Sequence, residues 1–218
     1  MHLDITTIIV IITALVSFAG FNNQKVVDDL IFYPPAITYK NQWYRFITCG
    51  FIHADAAHLI FNMISLYLFG RFVEDKFLEI FHGYGKALYI LLYMSALLIC
   101  LLPTYFRNRA NYHYRSLGAS GAVSAIVFAG LLIQPEITVG FFIIPPIIPG
   151  FIFGPLYLLV SIWLDRKGGT NINHSAHIWG AVYGLAFIII AGSFMGYNAF
   201  EHFIDGVKLY LHTHGFSG

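Results

Sequence analysis

The sequence predicts an all-α membrane protein with six transmembrane helices. Of its 218 residues, 58% are hydrophobic and only 11% are charged, whereas soluble domains carry roughly 25% charged residues. Apolar stretches close to the length that a membrane-spanning helix needs recur six times along the chain. Polar or glycine- and proline-rich segments separate these stretches, as expected for a multi-pass bundle.

The six apolar stretches follow one another without a soluble domain between them. They cover residues 5–20, 56–73, 86–106, 118–134, 150–164 and 176–196. The first follows Met1, His2, Leu3 and Asp4 without a basic region or a small-residue cleavage site, so we expect a retained span and not a signal peptide. We therefore expect a six-helix domain over residues 1–198 and a short C-terminal tail over 199–218.

The connections differ in character. Residues 21–55 contain "YPPAITYKNQWYRF", an aromatic-rich segment suited to the level of the lipid headgroups. The stretch "ITVGFFIIPPIIPGFIFGP" precedes the fifth span, and its prolines predict an irregular, membrane-apposed approach to that helix. The connection at 107–117 is polar, and that at 165–175 is rich in Gly and Asn.

Composition excludes several classes of function. The net charge of +1 indicates no nucleic-acid-binding face. Cys49 and Cys100 form neither a disulfide framework nor a metal-ligand spacing, so we expect buried free thiols. We expect no cofactor and no metal. The pair His174 and His177 has ligand-like spacing, but no convincing third ligand accompanies it.

Polar side chains near the ends of three spans are the main functional signal, because such groups are rare within membranes and usually functional. They are His53, His58 and Asn62 in "FIHADAAHLIFN", Ser120 and Ser124 in "GASGAVSA", and His174 and His177 in "NHSAHIWGAVYG". His58 and Asn62 are four residues apart and share one helix face. They could donate hydrogen bonds to an oxyanion in a cavity, or merely join two helices.

Ser120 and His177 are the candidate catalytic pair. Gly180 and Gly184 follow His177 at offsets of three and seven, which predicts a smooth stripe that docks closely on the small residues after Ser120. Such contact would bring the imidazole to the hydroxyl, where it could act as general base. No Asp or Glu lies near either residue in the spans, so we expect a dyad.

Other hydrolase motifs are absent. Ala122 breaks the G-x-S-x-G pattern of an α/β-hydrolase elbow, and no parallel-sheet pattern surrounds it. The chain has no H-E-x-x-H metalloprotease motif. An aspartyl intramembrane protease would need two membrane-embedded aspartates, and Asp55 and Asp75 lie only at span edges.

Together, "HADAAHLIFN", "GASG" and "AHIWGAVYG" resemble the signature set of the rhomboid intramembrane serine proteases. The resemblance covers about residues 40–196 and the motifs stand in the family's order. It implies a rhomboid-like six-helix bundle whose cavity opens to the outside, with Ser120 as nucleophile and His177 as base. It also implies that His58, Asn62 and the Ser120 amide surround the oxyanion, supported by Gly118, and that His53 supports the loop.

The resemblance also implies partners and location. Substrates would be membrane-anchored proteins, cut in or near a transmembrane segment after entering sideways past the fifth span, with the 165–175 loop as a cap. The lipid bilayer is the only other partner expected, and the sequence does not indicate an oligomeric state. We expect a multi-pass protein of a bacterial inner membrane with both termini in the cytoplasm, although this places four Lys and Arg residues inside and eight outside, the reverse of the positive-inside rule.

The chain departs from the family pattern at two positions. The family commonly has an aromatic residue four positions after the nucleophile, under the histidine ring, where this chain has Ser124. Tyr44 replaces the usual Trp before Arg45. Two other functions stay open: a non-catalytic rhomboid-like protein that binds membrane clients, and a small transporter or channel, which would lack intramembrane carboxylates for ion coupling.

Overall fold

The computed structural model describes residues 4–141 and 144–215 and is mainly helical. The described part contains eleven α-helices: α1 (Ile5–Asn22), α2 (Gln24–Leu30), α3 (Pro34–Lys40), α4 (Arg45–Thr48), α5 (Ala56–Phe81), α6 (Gly85–Ile99), α7 (Leu102–Asn108), α8 (Ser120–Ile133), α9 (Gly150–Lys167), α10 (His174–Phe194) and α11 (Ala199–Thr213). Short 3₁₀ turns cover Cys49–Phe51 and His82–Tyr84.

The six predicted apolar stretches coincide with α1, α5, α6 with α7, α8, α9 and α10. Three described segments are long and apolar enough to cross a membrane: Ile5–Asn22, Ala56–Asn108 and His174–Phe194. The second of these contains α5 to α7, and α8 is apolar but shorter. The helices therefore lie where the sequence predicts them, while the number of membrane crossings stays a prediction.

Helix α8 forms the centre of the bundle. It contacts α5, α6, α9, α10 and α11, and nearly every one of its side chains is buried. Its sequence explains this position, because glycine and alanine alternate with Val, Ile and Leu and leave no polar face. The other long helices pack around α8, whose first residue, Ser120, is half-buried and lines a cavity.

The proline-rich segment before α9 differs from the prediction. Residues Thr138–Phe141 (β1) and Ile144–Pro149 (β2) form an antiparallel two-stranded sheet. The all-α prediction is therefore wrong for the described residues of this segment, which form two paired strands and not an irregular approach to the helix. Prolines lack the N–H that a helix needs and are tolerated at sheet edges, while the Ile, Val and Phe residues around them favour strands.

The first connection contains three short helices, α2 to α4, which pack beside the bundle. Arg45 of α4 is 6% exposed, and its guanidinium donates hydrogen bonds to the carbonyls of Asp28 and Ile31, both at 2.8 Å. A further bond runs from its Nε to Gln42 Oε1. Arg45 is one of the arginines whose charge conflicts with the predicted orientation in the membrane. It is buried in the protein, where it forms hydrogen bonds with backbone carbonyls.

The C-terminal tail contains a helix. Asn198 caps α11, and the helix packs against α8 and α10, with Gly206 next to Pro135 and Glu136. Phe200 and Ile204 remain exposed on another side of α11. The division of the chain at residue 198 stays a prediction, and the outer ends of both predicted units, residues 1–3 and 216–218, lie outside the described residues.

Candidate active site

Ser120 and His177 are in hydrogen-bond contact. Ser120 is the first residue of α8, and His177 lies in the first turn of α10. The distance from His177 Nε2 to Ser120 Oγ is 2.6 Å. An unprotonated Nε2 in this position accepts the hydroxyl proton, which is the geometry that general-base activation of a serine requires.

The two helices meet through their glycines. A Cβ atom added to Gly180 would overlap the carbonyl of Gly121, and one added to Gly184 would overlap the carbonyl of Ala125. Backbone therefore contacts backbone over two turns, directly below Ser120 and His177. The predicted docking of the glycine stripe on the small residues of α8 is confirmed, and it explains how two residues 57 positions apart come into contact.

The start of α8 offers free backbone donors. Ala119 precedes the helix in a helical conformation, and no side chain of the described residues caps this end. The first N–H groups of a helix have no intrahelical acceptor, and the helix dipole favours negative charge beside them. The N-terminus of α8 thus carries a partial positive charge at the Ser120 hydroxyl.

His58 and Asn62 lie on α5 and line the same cavity as Ser120 and His177. The cavity has a volume of about 1090 Å³. Asp55 caps α5 by accepting a hydrogen bond from the His58 N–H at 2.8 Å, and Asn62 donates one of its amide protons to the His58 carbonyl at 2.9 Å. One proton of the Asn62 amide remains for the cavity. The His58 ring accepts a hydrogen bond from the Ala54 N–H at Nδ1, at 3.4 Å, which leaves its Nε2 for the cavity.

Gly118 allows the loop before Ser120 to approach His58. Its φ angle is +112°, and a Cβ atom there would lie 2.8 Å from His58 Cε1. Both features exclude larger residues at this position. The Gly118 N–H also donates to the carbonyl of Cys49 at 2.9 Å, which ties the loop to the end of the first connection.

His53 fixes the same loop from the other side. Its Nδ1 lies 2.9 Å from Ser17 Oγ, and its Nε2 lies 3.5 Å from the Ala119 N–H. Since Ser17 already donates to the Phe51 carbonyl, a neutral ring that donates from Nδ1 and accepts at Nε2 satisfies all three contacts. Burial, together with the neighbouring His58 ring, lowers the pKa of His53 to about 3, which keeps it neutral.

Most of this chain matches a known protein family. A family model described as a Rhomboid domain matches residues 40–194, which includes all six residues of the predicted site. The chain belongs to the rhomboid family. As a rhomboid with several long apolar helices, it is an integral membrane protein.

Individual rhomboid relatives differ in name and compartment. The chain is 32% identical over 146 residues to RHOMBOID-like protein 12, mitochondrial, of Arabidopsis thaliana, covering 62% of this chain but only 42% of that protein. It is 28% identical to the putative rhomboid protease YdcA of Bacillus subtilis, covering 69% of both chains. It is 25% identical to the rhomboid protease GlpG of Haemophilus influenzae, covering 82% of this chain and 87% of that one.

This rhomboid has a tyrosine beside the histidine that the sequence analysis did not find. Ser124 bonds the hydroxyl of Tyr157, a residue of α9, with an oxygen-to-oxygen distance of 2.9 Å. The Tyr157 ring lies nearly parallel to the His177 ring, with 6.5 Å between centroids and 26° between planes. The unusual serine at position 124 was the available signal, but it did not indicate which helix supplies the ring.

The loop before α10 of this rhomboid lies over the cavity. Asn171, Ile172 and Asn173 line the cavity. Asn173 caps α10, and its side chain accepts a hydrogen bond from Thr104 at 3.1 Å. Gly168 and Gly169 have positive φ angles and open space around them. The loop is thus held at its α10 end and joined to α9 by two conformationally permissive residues.

His174, the second histidine of α10, faces away from the Ser120 contact. Its Nε2 lies 3.0 Å from Thr170 Oγ1 in the loop. Within residues 4–141 and 144–215, no three His, Cys, Asp or Glu side chains group as a metal site would require. Cys49 and Cys100 are both buried free thiols that border the cavity.

Proposed function

We propose that this rhomboid is an intramembrane serine endopeptidase that cleaves transmembrane segments of membrane-anchored proteins with a Ser120–His177 dyad. The observation that carries the proposal is the 2.6 Å contact between His177 Nε2 and Ser120 Oγ. A serine and a histidine at hydrogen-bond distance, beside uncapped helix N–H groups in a cavity, match the requirements of acyl transfer.

Catalysis then follows the serine-protease sequence of steps. His177 removes the Ser120 proton while Oγ attacks the peptide carbonyl, and the carbonyl π electrons move onto oxygen. His58, Asn62 and the Ser120 N–H stabilise this oxyanion, with Gly118 and His53 holding the loop in place. The tetrahedral intermediate expels the amine, which takes the proton from His177. Water, deprotonated by His177, attacks the acyl-enzyme and releases the acid and the Ser120 hydroxyl.

Lateral access of the substrate is supported by the walls of the cavity. Apolar side chains of α5, including Phe61 and Leu68, and of α9, including Phe153 and Tyr157, line it beside the polar dyad. Phe61 and Leu68 are also exposed on the outer surface. A transmembrane segment in the bilayer can therefore reach the cavity through apolar surroundings, between α5 and α9.

We further propose six membrane crossings, by α1, α5, α6 with α7, α8, α9 and α10, with both termini in the cytoplasm of a bacterium. Helix α8 has 14 residues and a length of about 21 Å, less than the hydrocarbon thickness of about 30 Å. Its N-terminus would then lie below the membrane surface, with the long first connection and the cap loop outside. The named relatives from Bacillus subtilis and Haemophilus influenzae support a bacterial location, and burial of Arg45 reduces the conflict with the positive-inside rule.

The alternative is a rhomboid-like protein that binds membrane clients without cleaving them. Some relatives carry only a rhomboid-like name, among them the Arabidopsis protein. The presence of both dyad residues in contact argues against this alternative. It predicts retained client binding and no covalent chemistry at Ser120.

The test uses the purified protein in liposomes with a single-span substrate and a serine-directed phosphonate probe. We expect cleavage and probe labelling, both lost in Ser120→Ala and in His177→Ala. Matched controls are Ser193→Ala and His202→Ala, which change a serine of α10 and a histidine of α11 that are both exposed. Full cleavage by Ser120→Ala would exclude the mechanism, whereas binding without cleavage or labelling by the wild type would establish the alternative.

A further inference from the structure

Tyr157 is anchored to a neighbouring helix through its hydroxyl. This hydroxyl forms a hydrogen bond with Ser124 Oγ of α8, at an oxygen-to-oxygen distance of 2.9 Å, and Ser124 is 5% exposed. A buried hydroxyl is stabilised when it has a hydrogen-bond partner, so this contact fixes the end of the Tyr157 side chain against α8.

Two tilted phenylalanine rings also pack beside the Tyr157 ring. Phe128 of α8 and Phe153 of α9 lie 5.6 and 5.9 Å from the Tyr157 ring centroid. The third ring beside Tyr157 is the imidazole of His177, at 6.5 Å and 26°. These separations are within the range of favourable aromatic contacts, with a near-parallel and offset arrangement for the imidazole.

We propose that Tyr157 is a positioning residue that aligns the His177 imidazole toward Ser120, and that Ser124 is the anchor that holds Tyr157 in this position. The residue four positions after Ser120 would thus contribute through a hydroxyl that orients an aromatic ring of another helix, and not through a ring of its own. The inference rests on the proposed function of the dyad. It adds a specific role for two residues, neither of which touches the reacting atoms.

The physical basis is the rotation of the imidazole. Among residues 4–141 and 144–215, the His177 ring has one hydrogen bond, to Ser120 at Nε2, and no carboxylate bonds its opposite nitrogen. A flat surface parallel to the ring restricts its rotation without a charge. Misplacement of a catalytic group by about 1 Å can cost roughly a hundredfold in rate, so such a restriction contributes to the barrier directly.

Four variants separate the ring, its hydroxyl and its anchor: Tyr157→Leu, Tyr157→Phe, Ser124→Ala, and the double variant Tyr157→Leu with Ser124→Tyr. Relative to wild type in liposomes, we expect Tyr157→Leu to lower kcat roughly tenfold to a hundredfold with little change in KM. The kcat values of Tyr157→Phe and Ser124→Ala should lie between those of the wild type and Tyr157→Leu. The double variant, which supplies a ring from α8 into the vacated space, should recover much of the lost kcat.

The matched control is Trp163→Leu, which removes an exposed aromatic ring from the same helix. It should leave kcat and KM unchanged. A wild-type kcat in Tyr157→Leu would overturn the inference. Two other results for Tyr157→Leu would overturn it as well: a loss of activity fully explained by a lower melting temperature, or a change in KM without a change in kcat. Either result is expected of a residue that only packs.

A second measurement does not depend on activity. The Tyr157 ring should shift the imidazole proton resonances of His177 through its ring current, and these resonances are identified by their absence in His177→Ala. Tyr157→Leu should remove the shift, while Trp163→Leu should keep it. If wild type neither cleaves nor reacts with the probe, the proposed function fails, and the resonance shift still decides whether Tyr157 aligns the ring.

Discussion

Gly180 and Gly121 contact one another backbone to backbone, so closely that a Cβ atom on Gly180 would occupy the space of the Gly121 carbonyl. Gly121 directly follows Ser120, and Gly180 lies one turn after His177. The distance between α8 and α10 at the candidate site is therefore determined by glycine, which has no side chain, at both positions. Any increase in that distance separates the hydroxyl from the imidazole.

Gly180→Ala should lower both stability and activity. The added methyl meets backbone atoms that cannot move without displacing α8, and overpacking of this kind costs about 1–3 kcal/mol. We expect a lower melting temperature in detergent and a loss of probe labelling at Ser120. Gly83→Ala is the control, since nothing lies within 4 Å of a Cβ atom there. Wild-type labelling by Gly180→Ala would contradict this account of the helix contact.

Asn62→Ala should slow cleavage without unfolding the protein. If the Asn62 amide donates to the oxyanion, its removal raises the barrier by about 2 to 4 kcal/mol, or roughly thirtyfold to a thousandfold in kcat. Ser65→Ala, one turn further along α5 and also at the cavity wall, is the matched control and should retain activity. Equal effects of the two substitutions on kcat would remove Asn62 from the mechanism.

Gly118→Ala tests the loop before the nucleophile. Alanine is strained at a φ of +112°, and its methyl would press on the His58 ring. We expect a strong loss of probe labelling at Ser120 with a smaller change in melting temperature, because the strain acts on one loop. Gly168→Ala provides the comparison, since it also replaces a glycine of positive φ but has open space around it. The prediction fails if both variants react with the probe at the same rate.

Acid should destabilise the fold partly through His53. Burial lowers the pKa of His53 to about 3 in the folded protein, against an ordinary value of 6.5. The folded state resists protonation of His53. The stabilisation that this neutral side chain contributes is therefore fully present above pH 6.5 and is lost progressively as the pH falls toward 3. We expect the melting temperature to drop from pH 7 to pH 5, and to drop less in His53→Asn, which keeps an acceptor but does not titrate. An identical drop in both proteins would contradict the buried, neutral histidine.

The helices and the glycine contact could be anticipated because their causes are local. Apolar runs predict membrane helices, and the three- and seven-residue offsets from His177 to Gly180 and Gly184 define one smooth stripe. The pairing of the strands Thr138–Phe141 and Ile144–Pro149 was not anticipated, since a short apolar run with prolines is compatible with more than one backbone path.

Local pattern alone specified a helical membrane protein, a helix with Ser120 near its start and the helix face that carries His177. It could not specify which residue lies beside the histidine ring. Tyr157 reaches that ring because α9 packs against α8 at a particular depth and rotation, and a contact between segments distant in the chain leaves no period in the sequence. The same reason hides the role of Arg45, whose acceptors are backbone carbonyls that any residue could provide.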